Sequence, residues 1–383
     1  AVAVCLPGSL IAAAPSSFCS HPPLTTAIGF GHRIYAFDFS DGSTPAAMTI
    51  EPYTVAVVQA APVFMQLDAT VDKGIAMIEE AAARGARLIA FPECWVPGYP
   101  WWAWLSAPAH NLKYFGAYHA NSLSVDSPAC ERLAEAARAN GIFVSMGASE
   151  RDHGSLYMAQ FLFSDTGELI QARRKLKPTF VERTVFGEGD GSDLAVSGTT
   201  LGRIGQLNCW EHLQPLTKYA MFSLHEQIHI GAWPSFSCYR QAYSLGAELN
   251  TSVSRVYAAE GQCFVLASCA LISDDMVAML AETPEHHELI ESGGGHSRIF
   301  GPDGNALCEP LAENEEGILY ADIDLGAISI AKCFADPVGH YARPDVTRLL
   351  LNRSATPPVQ FTDAPPGPVD DGDAGPIVIA EDE

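Results

Sequence analysis

The sequence predicts an α/β fold in which a mixed β-sheet is covered by helices, and two observations support this prediction. Apolar runs typical of strands alternate along the chain with amphipathic segments typical of helices. Two pairs of strand-like runs are also joined by short turns, as in β-hairpins. Parallel strands need crossover helices whereas hairpins join antiparallel strands, so the two kinds of connection together indicate a mixed sheet.

The first half of the chain contains three predicted strands, two predicted helices and one hairpin. The strands are predicted in TVAVVQAA, ARLIAFPE and IFVSMGASE. The helices are predicted in LDATVDKGIAMIEEAAARG and SPACERLAEAARANG, and each ends at a glycine, which is a common helix stop. The hairpin is predicted in LYMAQFLFSDTGELIQARRKL, with DTG at its turn.

The second half continues the alternation. Strands are predicted in RIGQLNC, QIHIGAW and CFVLASCALI, separated by helices near residues 211–225 and 239–260. A second hairpin is predicted in HSRIFGPDGNALCEP, and a late strand in GILYADIDL. These elements complete one large α/β domain, which the chain of 383 residues is long enough to form.

The two ends of the chain are predicted to lie outside this domain. The first methionine is Met48 and the strand pattern begins just after it, so residues 1–47 are predicted to be an N-terminal extension outside the fold. The domain then covers residues 48–350. Residues 351–383 are rich in proline, glycine and acid, a composition that buries too little apolar surface for an ordered core. We expect that tail to be disordered or loosely attached.

Charge and cysteine usage restrict the kinds of partner. A formal net charge of −23 repels nucleic-acid backbones and anionic membranes, so neither is expected to bind. A membrane-spanning helix needs about 18 or more consecutive apolar residues, and no such run occurs. The ten cysteines include no C-x-x-C pair, which indicates reduced thiols in a cytoplasmic protein.

Three polar residues fall at the ends of predicted strands. Glu93 ends ARLIAFPE, Lys175 lies at the end of the first hairpin, and Cys209 ends RIGQLNC. Ligands bind at the carboxyl ends of strands in open α/β sheets, so this coincidence indicates a site. Each residue alone also has an ordinary explanation: a solvated glutamate, a surface lysine and a small core cysteine.

These three residue types together form a chemically complete set. A cysteine thiol is only a few per cent ionised at neutral pH, and we expect the nearby ammonium to lower its pKa. A carboxylate beside the thiol can take its proton and later a proton from water. The set therefore predicts a nucleophile, an electrostatic partner and a general base that need neither a metal nor an organic cofactor.

Four long segments, in the same order, resemble those of bacterial nitrilases in the carbon–nitrogen hydrolase superfamily. The resemblance runs from about Val55 to Leu350 and so covers the whole predicted domain. The segments are FPECWVPGYPWW, RRKLKPTFVERTVFGEGDGSDL, GQLNCWEHLQPLTKYAMFSLHEQIHIGAWPSF and DPVGHYARPDV.

The resemblance implies a role for individual residues. Glu93 is implied to be the general base, Lys175 the stabilising cation, Cys209 the nucleophile, and Glu182 a second glutamate that positions the lysine and the substrate. The backbone N–H of Trp210 is expected to donate to developing negative charge. The pocket is implied to be lined by Tyr99, Phe186, the Trp210 side chain and Pro234, although packing in the core or in a turn also explains these four residues.

The resemblance further implies the reaction and the architecture. Nitriles would be hydrolysed to carboxylic acids and ammonia through a thioimidate and an acyl-enzyme, with an amide as by-product when the intermediate expels the thiol. The implied fold is an α-β-β-α sandwich, with two mixed sheets flanked by helices. The implied assembly is a homodimer that grows into a larger spiral homo-oligomer.

Other functions remain open at this point. An amidase, a carbamoylase or a cyanide-hydrolysing relative would use the same Glu-Lys-Cys triad. Cys94, directly after Glu93, departs from the threonine or aliphatic residue expected there, and this departure bears on the shape of the pocket and so on the substrate class. A scaffold or binding protein that lost catalysis is a further alternative, but it would not need all three residue types.

Two histidine motifs suggest metal sites but are better explained otherwise. The run HEQIH, His225 to His229, fits the zinc motif H-E-x-x-H, which requires both histidines on one face of a helix. Here the second histidine falls inside the predicted strand QIHIGAW, so we expect no zinc. The segment PEHHELIESGGGH is interpreted as a polar surface loop. His340 is interpreted as a structural histidine.

Overall fold

Two mixed β-sheets form the centre of the fold in the computed structural model, which describes residues 50–357 and residue 359. The predicted N-terminal extension and most of the predicted tail lie outside the described residues. The strands are β1 (Tyr53–Gln59), β2 (Ala86–Ala90), β3 (Phe143–Asp152), β4 (Ser155–Phe163), β5 (Leu169–Arg174), β6 (Val196–Thr199), β7 (Gly202–Asn208), β8 (Ile228–Trp233), β9 (Phe264–Cys269), β10 (Arg298–Phe300) and β11 (Gly317–Ile323).

Both sheets combine parallel and antiparallel strands. The first sheet has the order β11-β1-β2-β3-β4-β5, with β1, β2 and β3 parallel to one another. The second has the order β10-β9-β8-β7-β6, with β7, β8 and β9 parallel. The outer strands of each sheet pair antiparallel with their neighbours.

Nine α-helices lie in the described part of the chain, and four of them cover the outer faces of the two sheets. The nine helices are α1 (Leu67–Ala83), α2 (Trp102–Leu105), α3 (Pro108–Asn121), α4 (Pro128–Asn140), α5 (Pro215–Ser223), α6 (Ala247–Gly261), α7 (Asp274–Leu280), α8 (Pro284–Leu289) and α9 (Gly326–Phe334). None of the helices in the described part of the chain combines the length and the apolar character needed to cross a membrane.

Three of the four apolar clusters in the described core form layers, which confirm the predicted α-β-β-α sandwich. One layer joins α1 and α4 to the first sheet, with Ile78 and Leu133 packed against strand residues such as Val144. The middle layer lies between the two sheets. The third joins α5 and α6 to the second sheet, through residues such as Met221 and Tyr257. Each sheet thus has one helical side and one side that faces the other sheet.

The sequence explains why the two predicted helices of the first half form. In α1 the buried positions Val71, Gly74 and Ile78 recur at helical spacing and face the sheet. In α4 the Ser127 hydroxyl accepts a hydrogen bond from the backbone N–H of Cys130 at 3.3 Å and caps the first turn. Gly141, with φ of 58°, ends α4 in the left-handed region that favours glycine.

Three predicted elements differ from the structure. Helix α6 begins at Ala247 rather than near residue 239, because residues 239–246 form turns first. In the second predicted hairpin, β10 pairs with β9, and its second arm makes only an isolated bridge between Phe300 and Ala306. The predicted loop PEHHELIESGGGH is wrong for its first six residues, which form α8 with Pro284 in the first turn and Thr283 as its cap.

Candidate active site

Glu93, Lys175 and Cys209 follow the carboxyl ends of three strands, and the structure brings the first two into direct contact. Glu93 follows β2, Lys175 follows β5 and Cys209 follows β7. The Lys175 Nζ donates to Glu93 Oε1 at 3.0 Å. The three residues are 0%, 1% and 7% exposed, so their charges interact where little water screens them.

Close packing of neighbouring strands fixes the position of Glu93. Its backbone N–H reaches across to the second sheet and donates to the carbonyl of Trp233 at 3.4 Å. Strand β3 passes just beneath: a Cβ at Gly147 would lie 1.8 Å from the Pro92 carbonyl oxygen, so only glycine fits there. The buried Oε2 of Glu93 has no hydrogen-bond partner among the described residues. That oxygen is therefore available to accept a proton.

Glu182 holds the other side of the lysine ammonium. The Lys175 Nζ donates to Glu182 Oε2 at 2.8 Å, and the Tyr99 hydroxyl donates to Glu182 Oε1 at 2.7 Å. Glu182 Oε2 also accepts from the backbone N–H of Thr179, which caps a short 3₁₀ turn. Burial alone would lower the pKa of the Lys175 ammonium, but Glu182 and Glu93 outweigh it and hold the pKa well above its usual value. Lys175 is therefore a permanent cation.

Cys209 starts a 3₁₀ turn directly after β7, and its backbone is in the left-handed region with φ of 46°. The sequence led us to expect a lowered thiol pKa, and this expectation is wrong. Burial, followed by the charge of Glu93, raises the thiol pKa well above its usual value. Lys175 and a hydrogen bond from the backbone N–H of Trp210 act in the opposite direction but do not compensate. The thiol needs a base to become a nucleophile.

Glu93 has the properties of that base. Burial raises the pKa of its carboxyl to about 8, although the neighbouring Lys175 ammonium opposes the shift. A carboxyl with a pKa near the working pH both takes and returns protons efficiently. The arrangement can therefore move a proton from the Cys209 thiol to Glu93 and onward to a reacting atom.

A buried ion pair that sequence reasoning missed connects the lysine segment to the nucleophile turn. Arg173 donates to both carboxylate oxygens of Glu211, at 2.7 and 2.8 Å. The same carboxylate accepts the backbone N–H groups of Leu176 at 3.0 Å and Asn208 at 2.8 Å. The pair therefore sets the spacing between Lys175 and Cys209. Its only sequence signals are the first arginine of RRK and the glutamate of CWE.

An apolar cleft opens onto the Cys209 sulfur. Three of the four predicted pocket residues, Tyr99, Trp210 and Pro234, line it together with Glu182. Phe186 is not among the lining residues: it is buried and packs edge-on against Tyr118, with ring centroids 6.2 Å apart. Sequence reasoning did not identify the remaining lining residues, which are Trp101, Trp104, Thr179, Ser235, Phe236, Cys238, Leu245 and Asn250.

Trp101 and Trp104 of this wall come from the aromatic-rich segment PGYPWWAWL. The other missed residues come from segments distant in the sequence, including the turns before α6. A wider groove beside α9, lined by residues such as Ile330 and Phe334, contains no nucleophile or cation among its lining residues. That groove therefore lacks the thiol and the ammonium that meet beside the narrower cleft.

A second thiol lines the cleft but lacks the groups that surround Cys209. Burial raises the pKa of the Cys238 thiol to about 12, and no charged group offsets that shift. Cys94 is fully buried, with its sulfur 3.9 Å from the Ala148 carbonyl, so it does not line the cleft. Within residues 50–357 all eight cysteines are free thiols.

The histidines of the zinc-like motif do not share a helix. His225 follows the end of α5 with φ of 59°, and His229 lies inside β8, as predicted. In the described part of the chain, no three histidine, cysteine or acidic side chains meet in a group that could hold a metal ion. His340 is exposed and packs against the ring of Tyr341.

Comparison with known proteins gives consistent results. The sequence profile described as carbon-nitrogen hydrolase matches residues 54–332. A nitrilase of Pseudomonas syringae is 58% identical over 308 residues, which cover 80% of this chain and 92% of that protein. An aliphatic nitrilase of Rhodococcus rhodochrous is 50% identical over 309 residues, covering 80% and 84%. The crystal structure of the C. elegans NitFhit protein shares the fold, with a TM-score of 0.63 at 19% identity, covering 81% and 70% of the two chains.

Proposed function

Because the chain belongs to the carbon–nitrogen hydrolase family, we propose that it is a nitrilase that hydrolyses organic nitriles to carboxylic acids and ammonia, with Cys209 as the nucleophile. The observation that carries the proposal is the buried Glu93–Lys175 contact beside a cysteine that opens onto an apolar cleft. The names of the two relatives, nitrilase and aliphatic nitrilase, support the substrate class.

The first step is addition of the thiol to the nitrile. Glu93 Oε2 takes the proton of Cys209 as the sulfur attacks the nitrile carbon, and the proton is then delivered to the nitrile nitrogen. In this proposal the Lys175 ammonium, which contacts Glu93, and the Trp210 backbone N–H stabilise the negative charge that develops on that nitrogen. The product is a thioimidate, in which the sulfur and an N–H group share the former nitrile carbon.

Water then completes the hydrolysis in two stages. Glu93 takes a proton from the first water as its oxygen adds to the thioimidate carbon, which gives a tetrahedral intermediate. Proton transfer to nitrogen lets ammonia leave, and a thioester remains on Cys209. A second water, again activated by Glu93, releases the carboxylic acid and restores the thiol. If the tetrahedral intermediate expels the sulfur instead of ammonia, the product is the amide.

The cleft favours substrates that carry an apolar group. Its wall is largely aromatic, formed by residues such as Trp104, Trp210 and Phe236, and such side chains bind apolar surface with large contact areas. Its one charged lining residue, Glu182, is paired with Lys175, and Thr179, Ser235 and Asn250 are uncharged. An amidase, a carbamoylase or a cyanide-hydrolysing enzyme with the same triad is the alternative that the experiment must separate.

The decisive experiment measures ammonia release from benzonitrile, phenylacetonitrile, an aliphatic dinitrile and cyanide, beside the matching amides. The expected result is turnover of organic nitriles that disappears in Cys209→Ala and persists in Cys130→Ala, which removes a buried thiol in α4 far from the cleft. Turnover of amides alone would make the protein an amidase. No turnover of any compound would overturn the proposal in favour of a scaffold protein.

The predicted assembly stays a prediction. Exposed apolar side chains on α5 and α9, among them Leu216, Ile330 and Phe334, support contacts between copies of the chain. Sedimentation velocity would test it, with a dimer or a larger particle as the expected result. A monomer across the micromolar range would contradict the homodimer and the spiral assembly.

A further inference from the structure

Behind the nucleophile turn lies a chain of buried polar side chains that the proposed mechanism does not use. His212 Nδ1 lies 2.6 Å from the carbonyl oxygen of Cys209, and His212 Nε2 lies 2.9 Å from His229 Nε2. His229 Nδ1 lies 2.9 Å from Glu226 Oε2, and the Tyr257 hydroxyl donates to the other oxygen of Glu226. We name His212, His229 and Glu226 the histidine relay.

The contacts of the histidine relay fix where its protons lie. A carbonyl oxygen only accepts, so His212 carries its proton on Nδ1 and presents a lone pair at Nε2. His229 must then donate from its own Nε2 to that lone pair. One further proton lies between His229 Nδ1 and Glu226, and the pair has zero net charge whichever of the two groups holds it. The relay is therefore fully hydrogen-bonded and points in one direction, toward the Cys209 carbonyl.

That carbonyl belongs to the same peptide unit as the N–H of Trp210. A trans peptide is planar, so its C=O and N–H point in opposite directions. His212 holds the C=O end at 2.6 Å, and the N–H end lies on the side of the Cys209 thiol, whose pKa it lowers. Any rotation of this unit that breaks the His212 contact also turns the N–H away from the sulfur and from the reacting atoms of the substrate.

The backbone at this position needs such support. A non-glycine residue with positive φ, as at Cys209, is strained and persists only where its surroundings hold it. Burial and the nearby His229 keep the pKa of His212 well below its usual value, so the ring stays neutral. The ring also stacks on Trp233, with centroids 5.0 Å apart. A methyl group at Gly231 would lie 3.1 Å from His212 Nε2, so the space around the ring is closely filled.

We propose that the histidine relay is a positioning device that fixes the peptide unit between Cys209 and Trp210, so that the Trp210 N–H faces the sulfur and the developing charge. The proposal rests on the proposed function, because it assigns His212 a role in the reaction of Cys209. His212 touches neither the substrate nor the reacting atoms. It acts through the carbonyl of the nucleophile.

Two substitutions of His212 separate this role from simple packing. The amide nitrogen of asparagine occupies roughly the place of His Nδ1, so His212→Asn keeps the donor to the Cys209 carbonyl. The amide nitrogen of glutamine reaches roughly the place of Nε2, so His212→Gln fills the space and loses that donor. We expect kcat to fall about 100-fold in His212→Gln with little change in KM, as for a misplaced transition-state donor. In His212→Asn, kcat should stay within about tenfold of the parent.

A second readout reports the Trp210 N–H directly. The rate of Cys209 alkylation by iodoacetamide is followed against pH, with the modified cysteine identified by peptide mass. Loss of the N–H contact removes one of the interactions that lower the thiol pKa, so the curve of His212→Gln should shift to higher pH. The curve of His212→Asn should match the parent.

Equal loss of kcat in both variants, with unchanged alkylation curves, would assign His212 a packing role and overturn the proposal. A parental kcat in His212→Gln would also overturn the proposal.

A second pair of variants serves if His212→Gln does not fold. In Glu226→Gln the amide can still donate to His229 Nδ1, whereas in Glu226→Leu the side chain cannot. Only Glu226→Leu should then lower kcat and shift the alkylation curve to higher pH. Equal kcat values and equal alkylation curves in the two Glu226 variants would contradict the proposed role of the histidine relay. Failure of the proposed function is distinct: the parent enzyme itself would release no ammonia.

Discussion

The Lys175 ammonium lies 3.0 Å from the Glu93 carboxylate, although the two residues follow strands that are separated by two others in the sheet. Strands β2 and β5 run in the same direction, because β5 is antiparallel to β4 and β4 is antiparallel to β3. Both carboxyl ends therefore reach the same edge, where Glu93 also contacts the second sheet through Trp233. The fold itself thus assembles the base and the cation.

Replacing the base should remove catalysis without removing the site. In Glu93→Gln the side chain keeps its shape but can no longer take a proton from Cys209 or from water. We expect kcat for a nitrile substrate to fall by about 10²- to 10⁴-fold, the usual contribution of general base catalysis. Stopped assays of ammonia release measure this fall, and Glu188→Gln, at a solvent-exposed ion pair, serves as the control. A Glu93→Gln variant with parental kcat would exclude Glu93 as the base.

The pH dependence follows from the raised pKa of Glu93. A general base acts in its ionised form, which predominates only above the pKa of about 8. We therefore expect kcat/KM to rise with pH through the neutral range and to level off above about pH 8. Initial rates in buffers of constant ionic strength measure the profile. A rate that is flat or falls between pH 6 and 8 would contradict this assignment.

Strand β3 lies close to the segment after β2 that contains Pro92 and Glu93, and a substitution that adds one methyl group tests whether this contact positions Glu93. In Gly147→Ala the new Cβ would lie 1.8 Å from the Pro92 carbonyl oxygen, so the loop that carries Glu93 must move. We expect kcat to fall about 100-fold, because a displacement of about 1 Å at a catalytic group has that effect. The matched control is Gly154→Ala in the turn after β3, where a Cβ meets no atom within 4 Å. Similar kinetics in the two variants would show that the approach does not position Glu93.

The buried Arg173–Glu211 pair should dominate local stability. Glu211→Ala leaves the Arg173 charge and two backbone N–H groups without their acceptor, and we expect the free energy of unfolding to fall by about 3–5 kcal/mol. Glu188→Gln breaks a solvent-exposed pair with Lys177 and should cost at most about 1 kcal/mol. Urea unfolding followed by fluorescence compares the two variants. Equal, small losses would show that the buried pair contributes no more than an exposed one.

Much of the fold was predictable because it depends on local periodicity. The predicted strands around Glu93 and Cys209 and the capped helix α4 all carry their signals within a few residues. Helix α3 was missed because its only buried side chains are Asn111 and Tyr118, which leave no apolar stripe to recognise. Helix α8 was missed because its histidines and glutamates are typical of a polar loop.

The site was predictable only in part. Glu93, Lys175 and Cys209 are identifiable because each follows a strand, a property that the sequence displays. The protonation states of these residues cannot be identified from the sequence, because burial and the charges that folding brings near determine them. The pKa of the Cys209 thiol is raised rather than lowered for that reason. The prediction that Phe186 lines the pocket fails for a similar reason. Its position in the segment VERTVFGEGDG suggested a pocket residue, but its side chain packs against Tyr118.

The central claim, that Cys209 forms a covalent bond to the nitrile carbon, is tested most directly by mass spectrometry. The enzyme is mixed with phenylacetonitrile, quenched in acid within the first turnovers, and digested for peptide mapping. We expect a mass increase equal to the bound thioimidate or acyl group on the peptide that contains Cys209, with the Cys238 peptide unmodified. Ammonia release without any adduct, or an adduct on Cys238, would contradict it.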